Sequence, residues 1–355
     1  MSGGETRNPD ATVLLNGVQV AWYELTVSQN SYRQADRFEV SLPVASLPSG
    51  LRRPDLAAMA VLNVEIRLSL DGSTWVSMII GVTDEISDDY IGGLIHLSGR
   101  DNTARFIETK TTEKFLNQTA SAVVQTLAAR QGMTADVTQT KGRVGQYYQI
   151  DHDRLTDQSS EWDLLIFLAD HENYDLWVTG QTLHFHPASM THGDPVVVAY
   201  APPGQGGLAA GAFTRLSTRR QLTLASDVTV TVLSWNARQK QAVKATAKAT
   251  KAPGKQPLNN PQTYSFRVPG LIQAQAQQLA QAKAEEISRH ERVLDIDLPG
   301  DVTTTARSQI QLTGTGTAFD QLYWVDEIER RLSMSEGFRM TLKVKNHSPQ
   351  TVTVG

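Results

Sequence analysis

The sequence predicts a mainly β protein with an α+β middle, in which two related small β-barrels flank a small α+β domain. Three observations predict it. Phe338, Met340, Leu342 and Val344 alternate with Arg339, Thr341, Lys343 and Lys345, and a period of two marks a half-buried antiparallel strand. With Gln311–Glu329 before it, the C-terminal region reads as strand, short excursion, strand, turn and strand. Segments of the same kind recur near the N-terminus, and between the two regions the period changes to that of a helix.

The elements follow in order. Residues 1–11 are a polar tail and residues 12–110 a first barrel. Asn16-Gly17 is a two-residue hairpin signal between apolar segments. Phe38, Val40 and Leu42 alternate, as do Val64, Ile66, Leu68 and Leu70 before the turn at Asp71-Gly72. Trp75, Val76, Met78 and Ile80, then Leu94–Leu97, supply further strands. Short strands joined by tight turns favour a small barrel or sandwich.

Residues 111–194 read as the α+β domain. Ala120, Val123, Val124, Leu127 and Ala128 have the spacing of an amphipathic helix, with Thr119 as N-cap and Gly132 at its end. A second helix over about 160–171 starts at Ser160 with Asp163 three residues on, a capping-box pattern. Tyr174–Val178 and Thr182–His186 then form a hairpin across Thr179-Gly180.

Residues 195–347 read as the second barrel, and 348–355 as a loose tail. Within it, 237–263 carries Arg238, Lys240, Lys244, Lys248, Lys251 and Lys255 among Ala, Thr, Gln, Pro and Gly, which reads as a mobile loop or extended arm. A Gln-rich helix over 270–290 presents Ile272, Ala276, Leu279, Ala280 and Ile287, a stripe fit to cover the second barrel.

Composition narrows the function. The net charge of −4 argues against a general binder of nucleic acid or membrane surfaces. With no cysteine, disulfides, thiolate metal sites and cysteine nucleophiles are all excluded. The N-terminal residues show no apolar core of a signal peptide, and no apolar run approaches the roughly 20 residues needed to span a bilayer. Synthesis and folding in the cytoplasm are expected.

Catalytic signals are weak. His184 and His186 share one face of a strand and could hold zinc, but no third ligand stands at a telling spacing. His171-Glu172-Asn-Tyr-Asp175 misses the second histidine of a zinc-protease helix and falls where a helix should end. The carboxylate pairs Asp84-Glu85, Asp88-Asp89, Asp151/Asp153, Asp295/Asp297 and Asp326-Glu327 are sequence neighbours, whereas a glycosidase needs two carboxylates facing across a cleft. Gly204–Gly207 and Gly314–Gly316 lack the continuation of a phosphate or dinucleotide loop, and no nucleophile elbow occurs. No enzymatic activity, cofactor or metal is expected.

Several phrases, taken in order, resemble one family. They are Leu97–Asp101 with Ala104-Arg-Phe106, Phe115–Val124, Glu161–Ala169 with Tyr174–Val178 and Leu183–Phe185, and Asp320–Ile328 with Gly337–Met340. Together they are similar to the baseplate hub proteins of phage tails, the late control protein D family, related to the hub portion of type VI secretion spike proteins. The resemblance covers roughly residues 12–346 and carries no catalytic motif.

What the resemblance implies is structural. Such a hub is a homotrimeric ring in which paired barrels adapt a hexameric tail tube to a trimeric spike. Its channel passes the tape measure protein and then DNA during viral genome ejection. The expected partners are the tail tube protein, the spike protein, the tape measure protein and other baseplate proteins. The expected location is the virion, in the tail baseplate, after assembly in the host bacterial cytoplasm. The partner-binding candidates are Lys240, Lys244, Lys248, Lys251 and Lys255 on the arm, Asp84, Asp88 and Asp89, and Ser335 in the loop Ser333–Gly337. On this reading, deleting residues 240–255 should spare the fold and weaken assembly.

The alternatives are a tail-associated cell-wall hydrolase and a receptor-binding tail module. The hydrolase needs two carboxylates, or the histidine pair with a carboxylate, to converge in a cleft. The binding module needs clustered exposed aromatics, whereas Trp22, Trp75, Trp162, Trp177, Trp235 and Trp324 mostly fall in core-like patterns.

Overall fold

Alternation builds the first module. In the computed structural model, which describes residues 8–346 other than 112, 114, 116, 143–158, 188–193, 205–208, 222–227, 237–239, 250–261, 269 and 289–290, it comprises β1 (Asp10–Leu15), β2 (Val18–Val20), β3 (Glu24–Asn30), β4 (Arg37–Pro43), the short helix α1 (Arg53–Ala58), β5 (Asn63–Ser69), β6 (Val76–Asp89) and β7 (Leu94–Asp101). Strand β1 thus begins inside the stretch assigned to a polar tail. Asn16 and Gly17 adopt φ of 48° and 82° and close the predicted β1–β2 hairpin. Alternate residues, among them Val13, Leu25, Phe38, Ile66 and Leu97, point into one core. Each such side chain contributes about 1.5–3 kcal/mol by leaving water.

The middle domain contains α2 (Thr103–Glu108), β8 (Lys110–Thr111), α3 (Ala120–Arg130), β9 (Thr134–Val137), β10 (Ser159–Ser160), α4 (Glu161–Glu172), β11 (Tyr174–Thr179) and β12 (Thr182–Pro187). The predicted caps form. The Thr119 hydroxyl accepts from the Ala122 amide, and Ser160 and Asp163 complete a capping box on α4. Helix α4 ends at Asn173, in the left-handed region at φ 56°. Strand β12 pairs antiparallel with β11 and parallel with β9. Leu176, Val178, Leu183 and Phe185 face the helices in a second core, and the alternate residues Trp177, His184 and His186 lie on the opposite face of this sheet, where Arg307 covers the Trp177 ring.

The second module begins with β13 (Val196–Ala199) and β14 (Arg215–Arg220), then is interrupted by a unit with its own core. That unit holds β15 (Val228–Asn236), β16 (Gln241–Ala249), β17 (Gln262–Arg267) and α5 (Gln273–Ser288). The chain returns through β18 (Arg292–Pro299), β19 (Gln309–Thr313), β20 (Leu322–Ser333) and β21 (Gly337–Lys345). Part of the predicted arm is therefore a strand. Val243, Ala245 and Ala247 of β16 are buried against Ala276 and Ala280 of α5. Alanine is a poor strand former, and alternating lysines mimic a solvated run. Helix α5 accordingly covers this inserted sheet, not the second module.

The two modules share one strand path. The order β3-β4-β7-β6-β5-β1 in the first is matched by β14-β18-β21-β20-β19-β13 in the second. Cross-strand rows correspond residue by residue: Leu25, Val40, Leu97 and Ile86 line up as do Leu216, Ile296, Leu342 and Ile328. Both central hairpins carry a register shift at an aspartate, Asp84 between Thr83 and Glu85 and Asp326 between Val325 and Glu327. One difference remains: β1 is antiparallel to β5, whereas β13 is parallel to β19.

Among the described residues no strand pair closes either module into a ring. Instead β3 of the first module pairs antiparallel with the distal half of β20, from Glu24 opposite Ser333 to Asn30 opposite Glu327. This seam fuses both modules into one sheet of 13 strands. The class read from the sequence, mainly β with an α+β middle, is the class observed.

Candidate functional site

The seam leaves two sheet edges open, and they correspond to each other. Strand β20 is flanked on one side by β21 and on the other by β19, then β3. Its counterpart β6 is flanked by β7, but β5 reaches only to Val82. Residues 84–89 of β6 therefore have no strand partner on that side among the described residues. Strand β14, the counterpart of β3, pairs with β18 alone and ends the sheet path. An unpaired edge is a template for another strand.

Their charges are opposite. The edge of β6 carries Asp84, Glu85, Asp88 and Asp89, and β14 carries Arg215, Arg219 and Arg220. The three arginines of β14 are exposed. Several of these groups are oriented by partners in their own chain: Asp84 by Arg100 at 2.6 Å, Asp88 by Arg53 at 2.8 Å, Arg219 by Asp295 at 3.2 Å and Arg220 by Glu291 at 3.0 Å. Asp89 accepts from the amides of Ile91 and Gly92 and is held below the usual carboxylate range by those bonds.

The predicted contact residues fall on different elements. Asp84, Asp88 and Asp89 gather on the free edge of β6. Ser335 lies in the β20–β21 turn, at the position where the first module has the Tyr90–Gly93 turn. Both turns expose an apolar residue: Ile91 is 100% and Met334 67% exposed. Lys244 and Lys248 stand exposed on β16, and Lys240 in the turn before it. Lys251, Lys255 and Arg238 lie outside the described residues, as do Asp151 and Asp153. Sequence reasoning missed Arg219 and Arg220, because only the doubled strand order shows that their strand has an empty flank.

Along the seam, β3, β4 and β20 line a groove of about 830 Å³, whose polar groups include Glu24, Glu39, Glu327 and Glu329 against Arg37 and Arg331. Beneath the seam a second cavity of about 350 Å³ includes Asp36, Asp101 and Arg330 in its wall. Burial pushes Asp36 up to about 6 and raises Asp101, which also feels the charge of Asp36. Burial lowers Arg330 to about 10. These groups are occupied by the scaffold. Asp36 accepts from the Asn30 amide at 3.0 Å and Asp101 from the Thr103 hydroxyl at 3.0 Å. Arg330 donates to the carbonyls of Asp301 and Thr304 and to the Gln29 side chain.

The histidine pair acquires the third ligand that its spacing did not offer. The parallel register sets His184 of β12 opposite Asp136 of β9. His184 Nδ1 and His186 Nε2 each lie 3.1 Å from Asp136 Oδ2. Burial would raise Asp136, but the hydrogen bonds from both imidazoles outweigh it and hold the carboxyl low. Burial lowers His184 against the pull of Asp136. This cluster lies on the face of the sheet turned away from the helices, with the Asp136 side chain 58% exposed and both histidines half-buried. His171 and Glu172 occupy the last turn of α4, and neither joins a metal-type cluster among the described residues.

The tryptophans are less internal than their patterns predicted. Trp162 is buried, Trp22, Trp177 and Trp324 are half-buried, and Trp75 and Trp235 are exposed. The two exposed rings lie on different units, ahead of β6 and in β15.

The fold has known counterparts. The chain aligns with the tail protein from Neisseria meningitidis MC58 at a TM-score of 0.72 and 14% identity, covering 97% of this chain and 99% of that one. It aligns with the 43 kDa tail protein of prophage MuSo2 from Shewanella oneidensis at a TM-score of 0.70 and 12% identity, covering 96% and 99%. An E. coli component of the type VI secretion system, itself described as similar to T4 bacteriophage tail proteins gp27 and gp5, aligns at 0.54 and 9% identity over 97% and 79%. At these identities the likeness shows the fold. Residues 77–334 match the family model described as the Alg8 N-terminal domain, and the chain belongs to that family. That description names a domain and not a reaction. A search of curated proteins returns no match.

Proposed function

We propose that this chain is a non-enzymatic structural subunit of a phage-type tail baseplate, a hub of the late control protein D kind. The observation that carries the reading is the correspondence between the seam and the two open edges. Within one chain, β3 of module one fills the distal half of β20 in module two. The same joint between chains would place β14 of one copy on the distal half of β6 of the next. The rows fix the register: Gln29 faces Ile328 and Ser28 faces Glu329, so Arg220 would face Ile86 and Arg219 would face Ser87. Acidic β6 then meets basic β14. A head-to-tail joint gives a ring where its rotation closes, and three copies so closed would supply six modules.

Such a ring joins sixfold and threefold partners with one polypeptide. A hexameric tail tube would meet the repeated turns around Ile91 and Met334, and a trimeric spike the opposite face. The tape measure protein and DNA would pass through the middle, in the assembled virion. The carboxylate excess of the seam groove suits a wall that does not trap DNA phosphates.

The natural chain has no cysteine, which makes a covalent test clean. A Ser87→Cys, Arg219→Cys chain, co-assembled with tube and spike proteins and oxidised, should give cross-linked species ending at trimer. Arg219→Gln with Arg220→Gln, which removes the edge charge without setting a carboxylate against Asp295 or Glu291, should weaken assembly while leaving the circular dichroism spectrum intact. Assembly at wild-type yield by that variant, together with no cross-link, would overturn the reading.

A further inference from the structure

We propose that Asp136, His184 and His186 form a binding site for a zinc-class divalent metal ion. Its donors lie on β9 and β12, strands that take no part in the proposed β6–β14 joint.

Four observations converge on it. The nitrogen, nitrogen and oxygen donors all lie within 4.8 Å of one another. Both imidazoles approach the same carboxylate oxygen, each at 3.1 Å. Tetrahedral zinc, with bonds of about 2.0–2.1 Å, sets neighbouring donors about 3.3 Å apart, so each imidazole already stands near the required spacing from the carboxylate oxygen. The outer nitrogen of His186 is already oriented: its Nδ1 lies 2.9 Å from the Thr138 hydroxyl. A hydrogen bond at the second ring nitrogen is what fixes a metal-binding imidazole. His184 is held differently, stacked on Trp177 with ring centroids 4.8 Å apart and 9° between planes.

The electrostatic surroundings are balanced. Arg307 lies over the Trp177 ring at 4.4 Å and disfavours a cation nearby. Asp175, cross-strand from His186, faces that guanidinium and offsets it. Asp136 adds a net negative charge at the donors. With Asp136 largely in solvent, three protein ligands leave the fourth position to water or to a ligand from an assembly partner. Two donors come from β12 and one from β9, which share only four register pairs. The ion would therefore clasp the parallel strand to the hairpin.

Calorimetric titration of zinc chloride into the full-length, untagged, chelator-treated chain tests this. The expected result is one ion per chain, an upward shift of the melting temperature and a change in tryptophan emission that Trp177→Phe removes. His184→Ala and His186→Ala should each weaken binding at least tenfold, and cobalt should give the strong visible bands of a four-coordinate site. Should an alanine variant fail to fold, Asp136→Asn, altered at an exposed side chain, carries the comparison. Absence of binding in the wild-type chain, or equal affinity in the folded variants, overturns the proposal.

Discussion

Asp84 and Asp326 occupy the same place in two copies of one hairpin. Each follows an apolar strand half, precedes Glu-Ile, and sits at the register shift against the return strand. Their surroundings differ. Asp84 is exposed and bound to Arg100, whereas Asp326 is buried beneath Lys345, whose ammonium also lies 4.4 Å from the Tyr32 ring centroid. The difference follows from the seam. Where β3 covers β20 the aspartate is enclosed, and where β6 is open its counterpart meets water.

Arg330 should prove the most sensitive residue of that seam. It is 1% exposed and ties the 301–304 segment and Gln29 to β20. Arg330→Ala would strand two carbonyls and a side-chain acceptor, at a cost of about 3 kcal/mol or more. Urea unfolding should show the midpoint falling accordingly, and Arg330→Lys should recover only part.

Gly99 should tolerate no side chain. A Cβ there would lie 2.2 Å from the Val82 carbonyl oxygen and 2.6 Å from the Phe38 ring. The counterpart position holds Val344, so the chain can carry a side chain there only where the neighbours leave room. Gly99→Val should lower stability by about 2–4 kcal/mol through overpacking, read as loss of soluble yield or of melting temperature.

Asp36 gives a pH signature. Its folded-state value, about 6, lies above the ordinary 3.8 because burial disfavours the charge. The folded chain therefore holds a proton that the unfolded chain releases between those values. The contribution is fully present below 3.8 and is lost as pH rises through 6. It amounts to at most about 3 kcal/mol. Asp36→Asn should remove the fall in unfolding free energy that wild type shows across that window, so that the difference between the two chains changes with pH. Parallel pH profiles for the two chains would contradict it.

The deletion of residues 240–255 has a revised outcome. Because Val243, Ala245 and Ala247 pack against α5, removing them should unfold the inserted unit as well as any contact it makes. Lys244→Glu with Lys248→Glu alters only the exposed face and separates the two effects. Unchanged circular dichroism with weakened baseplate incorporation would mark these lysines as contacts, and unchanged incorporation would mark them as solvated.

Much of the fold was legible in short-range pattern. Period-two runs gave β4, β5 and β21, Thr119 and Ser160 gave the helix starts, and Asn16-Gly17 gave the first hairpin. These rest on interactions within a few residues, which sequence records directly. Strand β16 was obscured because lysine and alanine carry little strand preference until a helix covers them.

The sequence by itself determined the β-rich class, the two-module arrangement and the absence of cysteine chemistry. Only the tertiary structure decided which edges stay open and which donors meet. The β3–β20 seam joins residues about 300 apart in the chain, and the parallel register of β9 with β12 brings Asp136 to the histidines across an intervening helix. Strand order and register are set by long-range pairing, and no local periodicity encodes them.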